Sequence, residues 1–240
     1  MARFFIEGIP AETTVIGGED GRHIARSLRM KAGERLTLCN GAGLDFLCEI
    51  TAVDGDSVTV SILEQTESVG EPTVAVTVYQ GLPKSDKMDW IAQKSVEAGV
   101  TRLVPMMTER CISRPDGKAA AKKRDRWQKI AEEAAKQCGR GKLPEVAPLT
   151  DFRAAVLEAE QQGPVIFFYE GGGVSLRQLV NDDLKTLSVF IGPEGGFEEK
   201  EVEFAREHGA QIGSLGTRIF RTETAATAAL AAIMALTGNM

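Results

Sequence analysis

Three stretches in the second half of the chain place glycine beside a charged side chain, each directly after an apolar run. They are Tyr169-Glu-Gly-Gly-Gly173, Ile191-Gly-Pro-Glu-Gly-Gly196 and Leu215-Gly-Thr-Arg218. Glycine lets the backbone approach a flat ligand closely. Turns also favour Gly and Pro, so one such stretch would mean little. Three of them together favour a small-molecule site built against backbone.

The elements that must position these stretches alternate between strand and helix from about residue 73 onward. The apolar runs predict strands at Val74–Tyr79, Arg102–Met106, Glu145–Ala147, Val165–Tyr169, Leu187–Ile191 and Gln211–Leu215. The segments between them predict helices at Asp86–Ala98, Lys118–Cys138, Asp151–Gln161 and Glu198–His208, with a last helix at about Glu223–Thr237. Alternation of this kind predicts a parallel sheet with helices on both faces. Ligands bind at the carboxyl ends of strands in such sheets, where the three stretches lie.

The first 70 residues have a different pattern, that of an all-β domain. Short apolar runs at Arg3–Ile6, Thr13–Ile16, Arg35–Cys39, Phe46–Val53 and Ser57–Leu63 are separated by turn signals such as Asn40-Gly41 and Asp54-Gly55. Such dipeptides between alternating runs indicate hairpins. A small barrel avoids open sheet edges. We therefore predict a first domain over residues 1–70 and a second over residues 73–240.

One short helix is predicted within the β domain, at Gly21–Met30. At 100° per residue, Arg22, Arg26 and Arg29 fall within about 60° of one another. Between Arg22 and Arg35 the sequence has five basic residues and one acid. This stripe suits phosphate binding. A solvated helix face accounts for it equally well, and composition leaves both interpretations open.

Composition excludes several classes of function. The net charge of −6 argues against a protein that coats nucleic acid by charge alone. The four cysteines form no CxxC pair and the two histidines lie far apart, so we expect reduced thiols and no metal site. No signal peptide and no membrane-spanning run is visible, and we expect a cytoplasmic protein. There is no nucleotide-binding glycine motif and no acyl-transfer nucleophile.

The last helix carries apolar residues on every side, seven of them alanine between Thr222 and Thr237. A helix that is apolar all round is buried all round. It is therefore either a central core helix or a helix that shares one face with a second subunit. We favour the dimer, because a terminal helix is rarely enclosed by its own chain.

Two motifs in this region carry a family resemblance. Ile191-Gly-Pro-Glu-Gly-Gly-Phe197 and Leu215-Gly-Thr-Arg-Ile-Phe-Arg-Thr-Glu-Thr-Ala225 resemble the small-subunit (16S) rRNA uracil-N3 methyltransferases of the SPOUT class. The resemblance extends along the chain, through His23–Met30, Lys87–Lys94, Glu97–Gly99, Thr108–Cys111 and Gln137–Arg140. Thr217 departs from the pattern, because the family usually has proline there, and this puts the shape of that loop in doubt.

The resemblance implies a fold, a cofactor and partners. The first domain would be a PUA-like RNA-binding barrel, and the second a SPOUT domain with a deep trefoil knot, a rare exception among folds. The cofactor would be S-adenosylmethionine, and the protein a homodimer acting on small-subunit rRNA. Cofactor-binding residues would be Phe168, Tyr169, Gly192, Glu194, Gly195, Gly196, Leu215, Gly216, Ile219, Phe220 and Thr224. RNA-binding residues would be Arg3, Arg22, Arg26, Arg29 and Lys31.

The implied reaction needs a base, because N3 of uracil carries a proton and lies on the Watson–Crick edge. We expect Glu223 to take this proton and Arg221 to stabilise negative charge on a uracil oxygen. Glu194 is the alternative base, and Glu223 is alternatively a carboxylate that interacts with the dipole of its helix. Two other functions stay open: a SPOUT enzyme acting on another RNA atom, and a non-catalytic factor in ribosome assembly.

Overall fold

The computed structural model describes all 240 residues, which form two compact units. The first unit comprises Met1–Glu71 together with Ala135–Leu143, and the second comprises Pro72–Ala134 and Pro144–Met240. A short segment from the middle of the chain is thus part of the first unit, which the sequence pattern did not indicate.

The first unit is a five-stranded sheet with one short helix. Its strands are β1 (Arg3–Phe5), β2 (Thr13–Ile16), β3 (Arg35–Cys39), β4 (Leu44–Asp54) and β5 (Ser57–Glu67), in the order β1-β3-β4-β5-β2. Only β1 pairs in parallel, with β3. Gly55, in the predicted Asp54-Gly55 turn between β4 and β5, has a φ of 59°. Alternate side chains of the strands form the core, among them Leu36, Leu38, Phe46, Ile50, Val58 and Val60.

The predicted helix at Gly21–Met30 begins and ends earlier than expected. Helix α1 (Gly18–Arg22) continues into a π-helical turn at His23–Ser27, and Arg29 then adopts a left-handed backbone with φ 55°. The wider π turn is closed by the N–H of Leu28, which donates to the carbonyl of His23. The prediction that Arg29 shares one helical face with Arg22 and Arg26 is therefore wrong.

The second unit is built on an eight-stranded, entirely parallel sheet. Its strands are β6 (Ala75–Gly81), β7 (Arg102–Met107), β8 (Glu145–Val146), β9 (Thr150–Asp151), β10 (Val165–Phe168), β11 (Val174–Ser175), β12 (Thr186–Ile191) and β13 (Gln211–Ser214). The order is β11-β13-β10-β12-β6-β7-β8, with β9 paired to β7. Its helices are α2 (Lys87–Glu97), α3 (Gly117–Cys138, which ends in the first unit), α4 (Phe152–Gln162), α5 (Leu176–Leu179), α6 (Glu199–Glu207) and α7 (Thr222–Leu236).

These elements confirm the predicted fold class, an all-β unit followed by a parallel α/β unit. All six strands and all five helices predicted after residue 73 are present, while β9, β11 and α5 were not predicted. No helix is long and apolar enough to cross a membrane. The trefoil knot stays a prediction.

An aromatic cluster fixes the centre of the second unit. The rings of Tyr79 and Phe190 stack with centroids 4.5 Å apart, and those of Phe167 and Phe197 lie 4.2 Å apart. Phe197 directly follows Gly196, so its burial against the sheet holds one end of the glycine-rich loop after β12. Burial of a large aromatic side chain is among the strongest contributions to a core.

Helix α7 is only partly enclosed by its own chain. Ala226, Ala229, Leu230 and Ile233 are buried, whereas Thr224 and Ala235 are exposed on the opposite side. The alternative of a helix surrounded by its own chain is therefore wrong, because one face of α7 lies at the surface.

A bidentate ion pair lies near the edge of the first unit. Nη1 and Nη2 of Arg3 donate to the two carboxylate oxygens of Asp45 at 2.7 and 2.8 Å, and the hydroxyl of Ser68 donates to the same carboxylate at 2.6 Å. The side chains of Arg3 and Asp45 are only 14% and 10% exposed. Burial alone would raise the pKa of Asp45, but the bonds from Arg3 and Ser68 outweigh it and lower that pKa from its ordinary value of 3.8.

We predict that Arg3→Met lowers the free energy of unfolding of the first unit by about 3 kcal/mol at pH 7, because it leaves a buried carboxylate without its cation. The depressed pKa of Asp45 stabilises the folded state above pH 3.8, and this contribution is lost as the pH falls through the folded-state pKa. The difference between wild type and variant should therefore shrink below about pH 4. Urea unfolding, with hydrogen exchange of β3 and β4 to report on the first unit alone, measures it.

Arg22→Met is the matched control for this prediction. Arg22 and Arg26 both bond the carboxylate of Asp56, and their side chains are 65% and 67% exposed. Exposed ion pairs contribute little. Equal losses in Arg3→Met and Arg22→Met would contradict a special role for the buried pair.

Candidate active site

The second unit contains a cavity of about 830 Å³ at the carboxyl ends of β10, β12 and β13. Its lining includes all three glycine-bearing stretches, at Phe168–Glu170, Ile191–Glu194 and Gly213–Thr222. Small-molecule sites in proteins have volumes of roughly 300–1,000 Å³. The predicted convergence of the three strand ends on one ligand-sized site is thus present in the structure.

Close backbone packing explains part of the glycine content of this site. A Cβ atom on Gly81, at the end of β6, would lie 2.5 Å from Cδ of Pro193. Gly196 has φ 67°, and a Cβ atom there would lie 2.9 Å from the carboxylate of Glu170. Both positions require glycine for the loop after β12 to close as it does.

A buried hydrogen-bond relay ties this loop to α7. The hydroxyl of Thr222 donates to the carbonyl of Gly192 at 2.6 Å, and Nε2 of Gln80 donates to that hydroxyl at 2.9 Å. Gln80 is fully buried. Three segments distant in sequence, β6, the loop after β12 and the start of α7, are therefore held together at the wall of the cavity.

Arg110 holds the same loop from outside. Its Nη1 donates to the carbonyl of Gly195 at 2.7 Å, and its Nε bonds the carboxylate of Glu198 at 2.9 Å. Glu198 in turn caps α6 in a reciprocal capping box with Glu201. Gly195 lies against Arg110 and does not line the cavity.

A lysine that the sequence analysis did not assign joins the two candidate bases. Nζ of Lys87 lies 3.0 Å from Oε1 of Glu194 and 3.2 Å from Oε2 of Glu223. The contact with Glu223 is an ion pair without an aligned hydrogen bond, since Oε2 has no hydrogen-bond partner. Lys87 and Glu194 line the cavity, whereas Glu223 stands behind Lys87 and does not.

The charges of this cluster are mutually stabilised. The hydrogen bond to Glu194 raises the pKa of Lys87, against the opposing effect of burial. Burial alone would raise the pKa of Glu194. The hydrogen bonds from Lys87 and from the N–H of Lys84, at 3.1 Å, outweigh this effect and lower that pKa. Lys87 is therefore cationic and Glu194 anionic near neutral pH.

Most of the predicted cofactor residues lie at the cavity. Those that line it are Phe168, Tyr169, Gly192, Glu194, Gly196, Leu215, Gly216, Ile219 and Phe220, while Gly195 and Thr224 do not. Arg221 lines the cavity as the N-cap residue of α7, and Glu223 lies in the first turn of that helix. Thr217, the departure from the family pattern, also lines it. Their functional roles stay predictions.

The loop between β13 and α7 offers unused backbone groups. The N–H groups of Arg218, Ile219 and Phe220 have no hydrogen-bond partner in the chain, and the side chain of Ile219 is 83% exposed. Exposed amides beside apolar walls are suited to recognising the edge of a heterocycle.

The predicted RNA-binding residues all belong to the first unit and differ in their surroundings. The guanidinium of Arg3 forms an ion pair with Asp45, and the guanidinium groups of Arg22 and Arg26 both pair with Asp56. Arg29 and Lys31 are exposed and have no acidic partner. RNA binding by these residues stays a prediction.

Lys87 and Glu170 are two charged residues of the cavity lining that the sequence pattern did not assign to the site. Both follow strand ends, Lys87 after β6 and Glu170 after β10, and the carboxyl ends of neighbouring parallel strands meet at one edge of the sheet. The polar loop after Gly81, Leu-Pro-Lys-Ser-Asp-Lys87, was the signal that could have identified Lys87.

The chain is similar to known protein families and to individual proteins of known name. A model of the RNA methyltransferase domain matches residues 70–234, more than half of the chain, and a model of the RNA methyltransferase PUA domain matches residues 16–63. The chain is 36% identical to Ribosomal RNA small subunit methyltransferase E of Bacillus subtilis, over 97% of this chain and 96% of that protein. It is 28% identical to the protein of that name from Mycobacterium bovis, over 98% and 92% of the two chains.

Solved structures agree with the sequence relatives. The crystal structure of a Ribosomal RNA small subunit methyltransferase E from Neisseria gonorrhoeae, bound to S-adenosyl methionine, superposes with a TM-score of 0.90 at 33% identity and covers 98% of both chains. The resemblance deduced from the glycine-rich motifs is confirmed, and with it the assignment as a methyltransferase. Domain content, fold and sequence identity over nearly the full length agree that the chain belongs to the Ribosomal RNA small subunit methyltransferase E family.

Proposed function

We propose that the protein transfers a methyl group from S-adenosylmethionine to N3 of a uridine in small-subunit (16S) rRNA. The observation that carries the proposal is the 830 Å³ cavity, in which three glycine-bearing strand ends meet a Lys–Glu cluster. The names of the full-length relatives support rRNA as the substrate. The assignment to N3 rests on the family resemblance of the two motifs.

The residues of the cavity fit this cofactor. The unpartnered amides of Ile219 and Phe220 would hold the polar edge of the adenine, with Phe168 as an apolar wall. The carboxylates of Glu170 and Glu194 suit the positive charges of the sulfonium and the amino group. Because Gly196 has no side chain, the cofactor can approach the backbone of this loop closely. When bound, the cofactor supplies a methyl group that is already activated.

The remaining chemical task is to remove the proton of N3. A base within reach of a positioned proton contributes typically 10²–10⁴-fold to the rate. We assign this role to Glu223, because neither of its carboxylate oxygens makes an aligned hydrogen bond. Glu194 is the weaker alternative, since the bonds from Lys87 and Lys84 lower its pKa. Glu223 would reach the substrate by a change of side-chain rotamer, since it stands behind Lys87.

Lys87 and Arg221 would stabilise the negative charge that appears when uracil loses its proton. Lys87 lies between the candidate base and the cavity, so its ammonium can turn from Glu223 to a uracil oxygen. The guanidinium of Arg221 is exposed at the same cavity. Cations placed where charge develops stabilise the transition state more than the ground state.

We predict that Glu223→Gln lowers the single-turnover rate at pH 7.5 about 100-fold, while the Kd for S-adenosylmethionine changes less than twofold. The deficit should narrow at alkaline pH, because N3 then loses its proton to solvent. Rapid-quench methylation assays and calorimetry provide the two measurements. Glu203→Gln, at an exposed position of α6, is the matched control. A wild-type rate in Glu223→Gln would assign this carboxylate to the dipole of α7 alone.

We further propose that the protein is a homodimer through α7 and α2. At 100° per residue, the surface side chains Thr224, Ala228, Ala231 and Ala235 lie within about 60° of one another. Helix α2 packs against α7 and exposes 52% of Trp90. Small residues permit close helix contact, and an exposed Trp is typical of interfaces.

We predict that Ala231→Arg converts the dimer to a monomer, because a charged side chain there prevents close helix contact. Light scattering coupled to size exclusion at micromolar concentration measures the mass. Gln161→Arg, at an exposed position of α4, should leave the mass unchanged. A wild-type protein with the mass of a monomer would contradict the proposed dimer.

The activity is tested on small ribosomal subunits that lack the methylation, and we place the substrate in that assembled particle and the enzyme in the cytoplasm with it. Incubation with methyl-labelled S-adenosylmethionine, followed by nucleoside mass spectrometry, should yield 3-methyluridine. Free rRNA should react more slowly. A different methylated nucleoside would overturn the target atom, and cofactor binding without transfer to any RNA would favour an assembly factor.

A further inference from the structure

Helix α3 carries a concentration of positive charge that neither the sequence analysis nor the proposed catalytic site uses. Between Lys118 and Lys129 the sequence has six basic residues and one acid, in a chain whose net charge is −6. This density exceeds that of the Arg22–Arg35 stretch, in which two arginines share Asp56. The charge therefore needs an explanation of its own.

Four of these residues form a line along the helix. At 100° per residue, Lys118, Lys122, Arg126 and Lys129 lie within about 80° of one another. All four are exposed, and the buried Trp127 lies on the opposite side of α3. We call these four residues the α3 basic stripe. At 1.5 Å per residue it extends over about 16 Å.

The chain leaves most of this charge uncompensated. Lys118, Lys122 and Lys129 have no carboxylate partner, and Asp125, the one acid between Lys118 and Lys129, pairs with Arg124 at 2.8 Å. Within the stripe, like charges recur at a spacing of three or four residues, which destabilises a helix.

The position of Lys118 adds to this cost. It lies in the first turn of α3, which contains no acidic residue, at the positive end of the helix dipole. The N-cap carboxylate of Asp116 accepts from the N–H of Ala119 at 2.8 Å. It offsets only part of the repulsion between Lys118 and the helix dipole. An external anion would relieve the repulsion.

The stripe is anchored to the helix that borders the active-site cavity. Arg126 bonds the carboxylate of Asp89, and Nε1 of Trp127 donates to the same carboxylate at 3.1 Å. Asp89 lies in the first turn of α2, two residues from Lys87, which lines the cavity. The middle of the stripe is therefore fixed next to the end of α2 where the target base would be bound.

We propose that the α3 basic stripe binds phosphates of the RNA strand that flanks the target nucleotide. The proposal rests on the proposed function and adds a second contact surface, in the catalytic unit itself. A row of exposed ammonium groups suits a polyanion, because each can neutralise one phosphate and release its counterions. The stripe would position the strand, and recognition of the base would remain with the cavity.

Two other occupants fit the stripe less well. Protein interfaces are depleted in lysine at their centres and enriched in aromatic residues, and the stripe has three lysines and no aromatic residue. An amphipathic helix that lies on a membrane needs a free apolar face, whereas the apolar side of α3, with Trp127, is buried within the protein.

The test compares two double charge reversals with the same change in net charge. The stripe variant is Lys118→Glu with Lys122→Glu, and the control is Lys185→Glu with Lys200→Glu, at exposed positions elsewhere in the second unit. The substitution at Lys118 places a carboxylate in the first turn of a helix, which favours folding. Affinity for a fluorescent rRNA fragment is measured over a range of salt concentrations, with the Kd for S-adenosylmethionine as a check on the fold.

The stripe variant should bind the fragment at least tenfold more weakly than the control at 0.1 M salt. Its plot of log K against log salt should be less steep by about 1.4, for two single-strand phosphate contacts. In turnover it should raise KM for RNA and leave kcat unchanged. Equal affinities and slopes in the two variants would overturn the proposal, as would a selective loss of binding to phosphatidylserine vesicles with RNA binding intact.

These results are distinguishable from failure of the proposed function. The salt slope reports on the stripe whether or not methyl transfer occurs, whereas the identity of the methylated nucleoside reports on the reaction alone. Production of 3-methyluridine with unchanged RNA binding in the stripe variant would support the proposed function and contradict the proposed role of the α3 basic stripe.

Discussion

The closure of the cavity depends on one hydroxyl group, that of Thr222. It donates to the carbonyl of Gly192, 30 residues earlier, and accepts from Gln80, 142 residues earlier. The bond from Gln80 is buried and the bond to Gly192 is partly buried, and in such surroundings a hydrogen bond is stronger and an unmade one more costly. Through this hydroxyl the N-terminus of α7, with Arg221 and Glu223, is placed against the loop after β12. The charged cluster and the glycine-rich walls have a common geometry because this bond joins them.

The same constraint explains why a carboxylate and a lysine can lie so close to an apolar core. Phe197 holds the far end of the loop against the sheet, and Arg110 holds its outer side at Gly195. With the loop fixed at three points, Glu194 is kept within 3.0 Å of the ammonium of Lys87. The side chains of Lys87 and Glu194 are 30% and 27% exposed, so the pair loses only part of its hydration. Under the proposed function, the arrangement would keep the cation of Lys87 beside the negative charge that develops on the target base.

The sequence predicted the elements well because the signals that define them are local. Each buried parallel strand is a continuous apolar run that ends in Gly or a polar residue, and each helix has its own periodicity. Strands of two residues, β9 and β11, leave no such trace. The site was predicted to the extent that it follows strand ends, which located the glycine loops and Arg221. What failed was the partner of each charge: Arg3 with Asp45, Arg22 with Asp56, and Lys87 with two glutamates are all pairings between distant segments, which no local pattern encodes.

The distribution of charge separates the two kinds of work that an RNA-modifying enzyme must do. Beside the cavity, the charges of Lys87, Glu194 and Glu223 are paired and partly buried, which suits chemistry that depends on distances of a few tenths of an ångström. At Lys118, Lys122 and Lys129 of α3, and at Arg29 and Lys31, they are exposed and have no acidic partner, which suits contact with a flexible polyanion whose phosphates need no single geometry. A net negative chain would gain from this separation, since overall repulsion of RNA discourages nonspecific coating while the proposed local contacts would still bind the correct strand. Net charge is therefore a poor guide to nucleic-acid binding here, and the pairing state of each cation is the better one.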